Sequence, residues 1–283
     1  MKYSEILAEK YTDVLRCPIC GESLAPSENK KSLLCGGARK HCFDIAAKGY
    51  VNLAVGHAGG GDPKDAVRSR TTFLNKGFYR PFADDVCRAV SKYATAGGFL
   101  VDAGCGEGYY TSLVSRACGM RAVGFDLSKS AIESAAASAS RNGFDQVAYS
   151  VAGIFSMPLK DECADVVINL FAPCAEDEFL RVLKKDGILL VAGAGEDHLF
   201  GLKSAIYDVP YKNELRADLP VKMKKLESIK VRFDITLESY EDKMNLFSMT
   251  PYYYRTSKKD ADKLKSETPI VTEVEFDIDI YQK

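Results

Sequence analysis

No stretch of the 283-residue sequence approaches the roughly 20 consecutive apolar residues that a membrane-spanning helix needs, so no membrane partner is expected. The N-terminus, MKYSEILAEKYTDVLRC, lacks the basic segment followed by an apolar one that marks a secretion signal, so a cytoplasmic protein is expected. Net charge is almost absent, at −1, so bulk electrostatics announce no polyanionic partner. Nothing points to an oxidising compartment. Cys87, Cys105, Cys118, Cys163 and Cys174, scattered among apolar or small residues, therefore read as buried reduced thiols rather than bridges. What remains is ordinary globular composition, 46% hydrophobic and 27% charged, long enough for one large α/β domain with a small appendage.

The small net charge hides an uneven distribution. Residues 30–80 hold ten basic side chains (Lys30, Lys31, Arg39, Lys40, Lys48, Lys64, Arg68, Arg70, Lys76, Arg80) against Asp44, Asp62 and Asp65. A basic front on an acidic body can steer a polyanion to one face, although a solvated basic surface explains the same count.

Within that front, Cys17-Pro18-Ile19-Cys20-Gly21 is followed by Cys35 and then by His41 and Cys42. Two cysteines two residues apart form a knuckle whose sulfurs converge on one ion, with glycine relieving the turn. A second pair across a short hairpin completes the tetrahedral N/S set of structural Zn²⁺. The segment is too poor in apolar residues to fold without such an ion. His41 and Cys42 both qualify as fourth ligand, and adjacent residues rarely serve together. With no spare ligand nearby for a catalytic water, the site reads as structural.

A flexible hinge is expected over 56–61, with His57 a solvated loop residue. Asp62 and Pro63 then read as cap and first position of a helix running to about Asn75 and stopping at Gly77, with Lys64 and Arg68 on one face. A second helix spans about Phe82 to Tyr93.

The strand Phe99-Leu100-Val101 continues through Asp102 and Ala103 into Gly104-Cys105-Gly106-Glu107-Gly108, followed by a helix from Tyr109 to about Ala117. Glycines at a strand-to-helix turn let backbone approach a ligand where a Cβ would clash. A second strand, Ala122 to Phe125, ends on Asp126, an acid placed to accept hydrogen bonds from both hydroxyls of a ribose. Dinucleotide enzymes share this plan, but the spacing here is G-x-G-x-G, and Asp102 beside the turn suits a cation rather than a pyrophosphate. S-adenosylmethionine meets both conditions, with Asp102, Gly104, Gly106, Gly108 and Asp126 around it.

Ser128 caps a helix to about Arg141, strands follow at Val147–Val151, Ala164–Leu170 and Ile188–Ala192, and a helix from Glu176 to about Lys184 precedes the last of these. Ile229, Val231, Phe233 and Ile235, and later Val274, Phe276, Ile278 and Ile280, alternate with polar residues as an antiparallel pair at a sheet edge. The expected fold is α/β: a seven-stranded doubly wound sheet of the class I S-adenosylmethionine methyltransferase type, with an N-terminal zinc-binding module. The expected division is 1–56 for the zinc-binding, RNA-recognising module, 57–93 for hinge and helical connector, and 94–283 for the methyltransferase domain.

Cys17-Pro-Ile-Cys20, His41-Cys42-Phe43-Asp44, Gly49-Tyr50-Val51-Asn52-Leu53, Tyr79-Arg80-Pro81, Gly104 to Thr111, Ala172-Pro173-Cys174 and Met249-Thr250-Pro251 together resemble the bacterial 23S ribosomal RNA guanine-N1 methyltransferases over nearly the whole chain. The resemblance implies Cys17, Cys20, Cys35 and His41 as zinc ligands. It implies Tyr79, Gly104, Tyr110, Thr111, Asp126 and His198 as cofactor contacts. The implied reaction is methylation of N1 of a guanine in a hairpin loop of 23S ribosomal RNA. Three departures stand out: a long Cys35-to-His41 spacing, Ala152-Gly153-Ile154 without an acid to read adenine, and Lys185-Asp186-Gly187 in place of a proline-glycine turn.

Guanine N1 carries a proton that must leave, and no side chain declares itself as the base. Asn169, at the end of the fourth strand, and His198 are the candidates, Asn169 more as an orienter. Cys174 as a covalent nucleophile is disfavoured, because N1 methylation needs no adduct. Phe171 and Tyr252-Tyr253-Tyr254-Arg255 are candidates to stack RNA bases, with core packing the plain alternative for the tyrosines. Two other functions fit: a small-molecule methyltransferase with a structural zinc module, and a non-catalytic RNA-binding protein. The oligomeric state stays open, a homodimer included.

Overall fold

The computed structural model describes residues 2–56 and 61–283, so the expected hinge and His57 fall largely outside the described residues. The chain opens with helix α1 (Tyr3–Lys10), then a small antiparallel sheet of β1 (Leu24–Pro26), β2 (Ser32–Cys35) and β3 (Cys42–Asp44), and a short strand β4 (Val51–Asn52). Two connector helices follow, α2 (Lys64–Asn75) and α3 (Arg80–Tyr93). The α/β series is β5 (Phe99–Ala103), α4 (Tyr109–Cys118), β6 (Arg121–Asp126), α5 (Lys129–Arg141), β7 (Val147–Val151), β8 (Ala164–Leu170), α6 (Glu176–Val182), β9 (Leu183–Ala194) and α7 (Phe200–Ile206). Then come β10 (Lys224–Leu237), α8 (Tyr240–Ser248) and β11 (Ile270–Gln282).

The main sheet runs β10-β11-β9-β8-β5-β6-β7-β4, parallel from β9 to β4 and antiparallel across β10-β11-β9. Strand order reverses at β5, with β6 on one side and β8 on the other, which opens a crevice at the C-terminal strand ends. Alternate residues of each strand feed two cores. Leu100, Ala122, Tyr149 and Ile168 pack with α3 and α5 through Phe82, Val86, Ile132 and Ala135. Val101, Val123, Ala148 and Val167 pack with Leu7, Tyr11, Leu24 and Leu33. The N-terminal segment thus covers a sheet face that would otherwise meet water.

That packing corrects the expectation of seven strands. Val51 and Asn52 pair in parallel with Ser150 and Val151, adding an eighth strand at the β7 edge. The start of α2 also differs. Pro63, in extended conformation, occupies the cap position with no side-chain cap, because the Asp62 carboxylate pairs with Arg70 instead. The stop at Gly77 stands, with φ of 84°. Ser128 does cap α5, accepting from Ala131 N–H. The β10–β11 pair matches the alternating apolar residues, Val231 opposite Phe276 and Ile229 opposite Ile278. No helix among the described residues is long and apolar enough to cross a membrane.

Candidate functional site

At the β5–α4 turn, the N–H groups of Gly104 and Cys105 both donate to Phe125 O, at 2.9 and 3.0 Å, tying the turn to β6. Gly104 has φ of 93°, and a Cβ there would fall 2.5 Å from Ala172 Cβ. Only glycine fits, and the turn that would receive a cofactor therefore abuts the turn after β8. Asp126, at the end of β6, accepts from Gly106 N–H at 3.0 Å and from Ser128 N–H at 2.7 Å. Asp102 is buried beneath the turn and accepts from the Thr111 hydroxyl. Burial pushes its carboxyl up to about 7, with Asp126 and Glu107 adding to the rise and Thr111 opposing it. A buried acid with no cationic partner among the described residues, next to a glycine cradle, fits the cationic end of a methionine moiety.

These residues border a cavity of about 1120 Å³. That exceeds the ~300–1,000 Å³ usual for a single small-molecule site, leaving room for donor and acceptor together. Tyr79, Asp102, Gly104, Gly106, Tyr110, Asp126 and His198 line it, whereas Gly108 and Thr111 stand behind the lining. Asp102 and Asp126 with open backbone between them fit S-adenosylmethionine.

The two candidates for proton transfer have specific surroundings. His198 Nδ1 accepts from Glu275 N–H at 3.3 Å, and the ring lies 4.4 Å from the Phe276 ring centroid. Burial, with Lys203 adding to it, pushes the imidazole down to about 3, so it is neutral at physiological pH, with Nδ1 already taken by the Glu275 N–H. Asn169 is fully buried and does not line the cavity. Its Nδ2 donates to Ala103 O at 2.9 Å and Pro173 O at 3.2 Å, and its Oδ1 accepts from Arg216 at 2.8 Å. As folded, it shapes the turn after β8 and presents no free polar atom.

Several lining residues carry no motif. Arg70, on α2, donates to Glu107 at 2.5 Å, pairs with Asp62, and roofs the turn at Gly106. Arg216 and Asp218 reach the cavity from residues 207–223, which form neither helix nor strand. Only the position of Arg70 in a basic helix hinted at a site. Phe171 has φ of 60° and is 45% exposed at the cavity, an aromatic held in a strained backbone conformation. Tyr252 is mostly buried there, with no hydrogen-bond partner for its hydroxyl among the described residues.

In the N-terminal sheet, the Sγ atoms of Cys17, Cys20 and Cys35 and Nδ1 of His41 all lie within 4.8 Å of one another. Cys20 Sγ is 3.2 Å from Cys35 Sγ, and His41 Nδ1 is 3.4 Å from Cys17 Sγ and 3.6 Å from Cys20 Sγ. Ligand atoms about 2.0–2.3 Å from a tetrahedral zinc stand at such separations, so the four fit the ion. Gly21, with φ of 77°, makes the knuckle turn. Cys42 is exposed and outside the cluster. Of the ten basic residues over 30–80, Lys31, Arg39, Lys40, Lys64 and Arg68 form no ion pair among the described residues, whereas Lys30, Lys48, Arg70, Lys76 and Arg80 do.

Comparison with known proteins agrees with both halves. Residues 95–246 match a family described as "Methyltransferase domain", and residues 15–55 match the zinc-ribbon family "RlmA, N-terminal". A Micromonospora griseorubida protein named as a 23S rRNA (guanine-N1)-methyltransferase is 37% identical over 208 residues, covering 66% of this chain and 68% of the relative. The 23S rRNA (guanine(748)-N1)-methyltransferase of Streptomyces fradiae is 32% identical over 197 residues, covering 68% of this chain and 67% of its own. A Bacillus subtilis protein of the same naming is 28% identical over 285 residues, 95% of this chain and 97% of the relative.

Proposed function

We infer the reaction from one premise: the chain belongs to the 23S rRNA (guanine-N1)-methyltransferase family. It transfers a methyl group from S-adenosylmethionine to N1 of a guanine in 23S ribosomal RNA, and we assign that guanine to a hairpin loop. The observation that carries the reading is one cavity that spans the glycine turn and the Ala172-Pro173 turn, large enough for donor and base. The donor, when bound, supplies an electrophilic methyl group on a sulfonium.

The donor-binding set is Tyr79, Asp102, Gly104, Gly106, Tyr110, Asp126 and His198, with Gly108 and Thr111 supporting the turn and Asp102 from behind. Asp126 takes the ribose hydroxyls, and Asp102, once ionised, faces the cationic methionine end. Neutral His198, with Nδ1 occupied by Glu275 N–H, offers Nε2–H as a donor and orients rather than deprotonates. Phe171 is the stacking platform for the extruded base. Cys17, Cys20, Cys35 and His41 hold zinc, which fixes the ribbon and presents Lys31, Arg39 and Lys40 to phosphates, while Lys64 and Arg68 extend that surface. We divide the chain functionally into 1–56 for RNA recognition, 57–93 as connector and 94–283 for methyl transfer, and place the reaction in the cytoplasm.

The test incubates unmodified 23S rRNA with labelled donor and maps the product by blocked primer extension. Label at one guanine with a primer-extension stop is the expected result. Unlabelled RNA, free and in ribosomal precursors, with label on a small metabolite instead, refutes the assignment.

A further inference from the structure

The segment 207–223 places one guanidinium deep in the reaction cavity. Arg216 Nη2 donates to Ala172 O at 2.7 Å and to Asn169 Oδ1 at 2.8 Å, and Nη1 donates to Ala192 O at 3.2 Å. Its Nε donates to Asp218 Oδ1 at 2.7 Å, with Asp218 Oδ2 3.3 Å from Nη2. Asp218 is itself tied to the acceptor-side turn, accepting from Cys174 N–H at 2.7 Å. Ala172 touches Gly104, so this group of acceptors stands beside the cofactor turn.

A guanidinium presents N–H donors on nitrogens that share one carbon. Guanine does the same along its Watson–Crick edge, where N1–H and the 2-amino group flank C2. A carboxylate that grips the Nε/Nη2 fork of arginine therefore matches the N1/N2 fork of guanine. Nη2 has one hydrogen in that fork and one shared between Ala172 O and Asn169 Oδ1, and the 2-amino group of guanine likewise keeps one hydrogen for that pair.

We propose that Asp218, Ala172 O and Asn169 Oδ1 form the seat of the target guanine, that Asp218 accepts its N1 proton, and that Arg216 is an internal stand-in displaced by the base. The proposal rests on the guanine-N1 reading above and names the missing proton acceptor within it. It also explains why Asn169 is sealed as folded: Arg216 is the cover. In the step itself, the N1–H bond breaks and the proton passes to the Asp218 carboxylate. The electron pair left on N1 forms the bond to the methyl carbon as the carbon–sulfur bond breaks, its pair staying on sulfur and neutralising the sulfonium. Asp218, half exposed at the cavity rim, then returns the proton to solvent.

Single-turnover methylation of unmodified 23S rRNA, with donor affinity measured by calorimetry, tests this for wild type, Asp218→Asn, Asp218→Glu and Arg216→Ala. Asp218→Asn is expected to slow transfer about 10²–10⁴-fold, as loss of a general base does, while donor affinity stays within about two-fold. Asp218→Glu recovers part of the rate, and Arg216→Ala lowers the KM for RNA. A synthetic hairpin with inosine at the mapped target, lacking the 2-amino group, should bind the product-loaded enzyme at least about ten-fold more weakly than its guanosine counterpart. Lys222→Ala, which frees the same segment from Asp177, separates chemistry from anchoring. Wild-type transfer by Asp218→Asn, an equal loss in Lys222→Ala, or equal binding of inosine overturns the proposal. Failure of the wild type to methylate any guanine overturns the family-level reaction instead.

Discussion

Replacing Asp126 by alanine removes the carboxylate assigned to the ribose. In the structure its two oxygens already hold the Ser128 and Gly106 N–H groups, at 2.7 and 3.0 Å, and each oxygen keeps a lone pair for one ribose hydroxyl. Hydrogen bonds to a charged acceptor contribute about 1.5–3 kcal/mol each, and part of that returns when water solvates the freed hydroxyls. A net loss of about 3 kcal/mol follows, or roughly a 10²-fold rise in the donor Kd. Asp126→Asn keeps one carbonyl acceptor and should lose about half that free energy. Isothermal calorimetry with S-adenosylmethionine measures both, and thermal melting of the donor-free proteins separates lost contacts from a disturbed turn. A Kd for Asp126→Ala within about three-fold of wild type, in a protein that melts normally, would refute the ribose assignment.

Three further outcomes are expected. The raised carboxyl of Asp102 binds its proton more tightly in the folded than in the unfolded chain, so its contribution to stability is full at low pH and is lost as pH rises toward about 7. Donor binding runs the other way, tightening up to about pH 7 and then levelling; calorimetry across that range checks it, and Asp102→Asn should flatten the profile. Gly104→Ala forces a side chain into φ of 93° against Ala172, and a cost of about 1–3 kcal/mol from the backbone alone should appear in denaturant melts, together with loss of methyl transfer; an unchanged midpoint contradicts the close approach. Metal analysis of His41→Ala should show zinc lost or greatly weakened, and of Cys42→Ala one zinc retained; the reverse pattern makes Cys42 the ligand.

The parts of this molecule that were legible in advance share one property: their chemistry is local in sequence. The Cys17–Cys20 knuckle, the glycine turn from Gly104 to Gly108, the acid ending β6 and the alternation along β10 and β11 each lie within a few residues, where spacing dictates direction. The start of α2 was misread because Asp62 has two possible partners, its own helix N–H groups and a guanidinium two turns away, and the ion pair with Arg70 wins. The extra strand was missed because Val51 and Asn52 are too short a run to show a period, and become a strand only beside β7.

By itself, the amino-acid sequence determined the zinc knuckle, the order of strands and helices from β5 to β9, and the pairing of a glycine turn with two acids, because these follow from backbone geometry over short spans. Tertiary structure alone decided which groups converge from afar. It brings Arg216, in an unpatterned segment, against Asn169 and Ala172, and Asp218 against the Cys174 N–H, some 45 residues earlier. It also half-buries His198 beside Lys203, which lowers the proton affinity of its ring. Proton affinity and hydrogen-bond partnership depend on the surrounding dielectric and on contacts across the sheet, and neither is written in the spacing of neighbours.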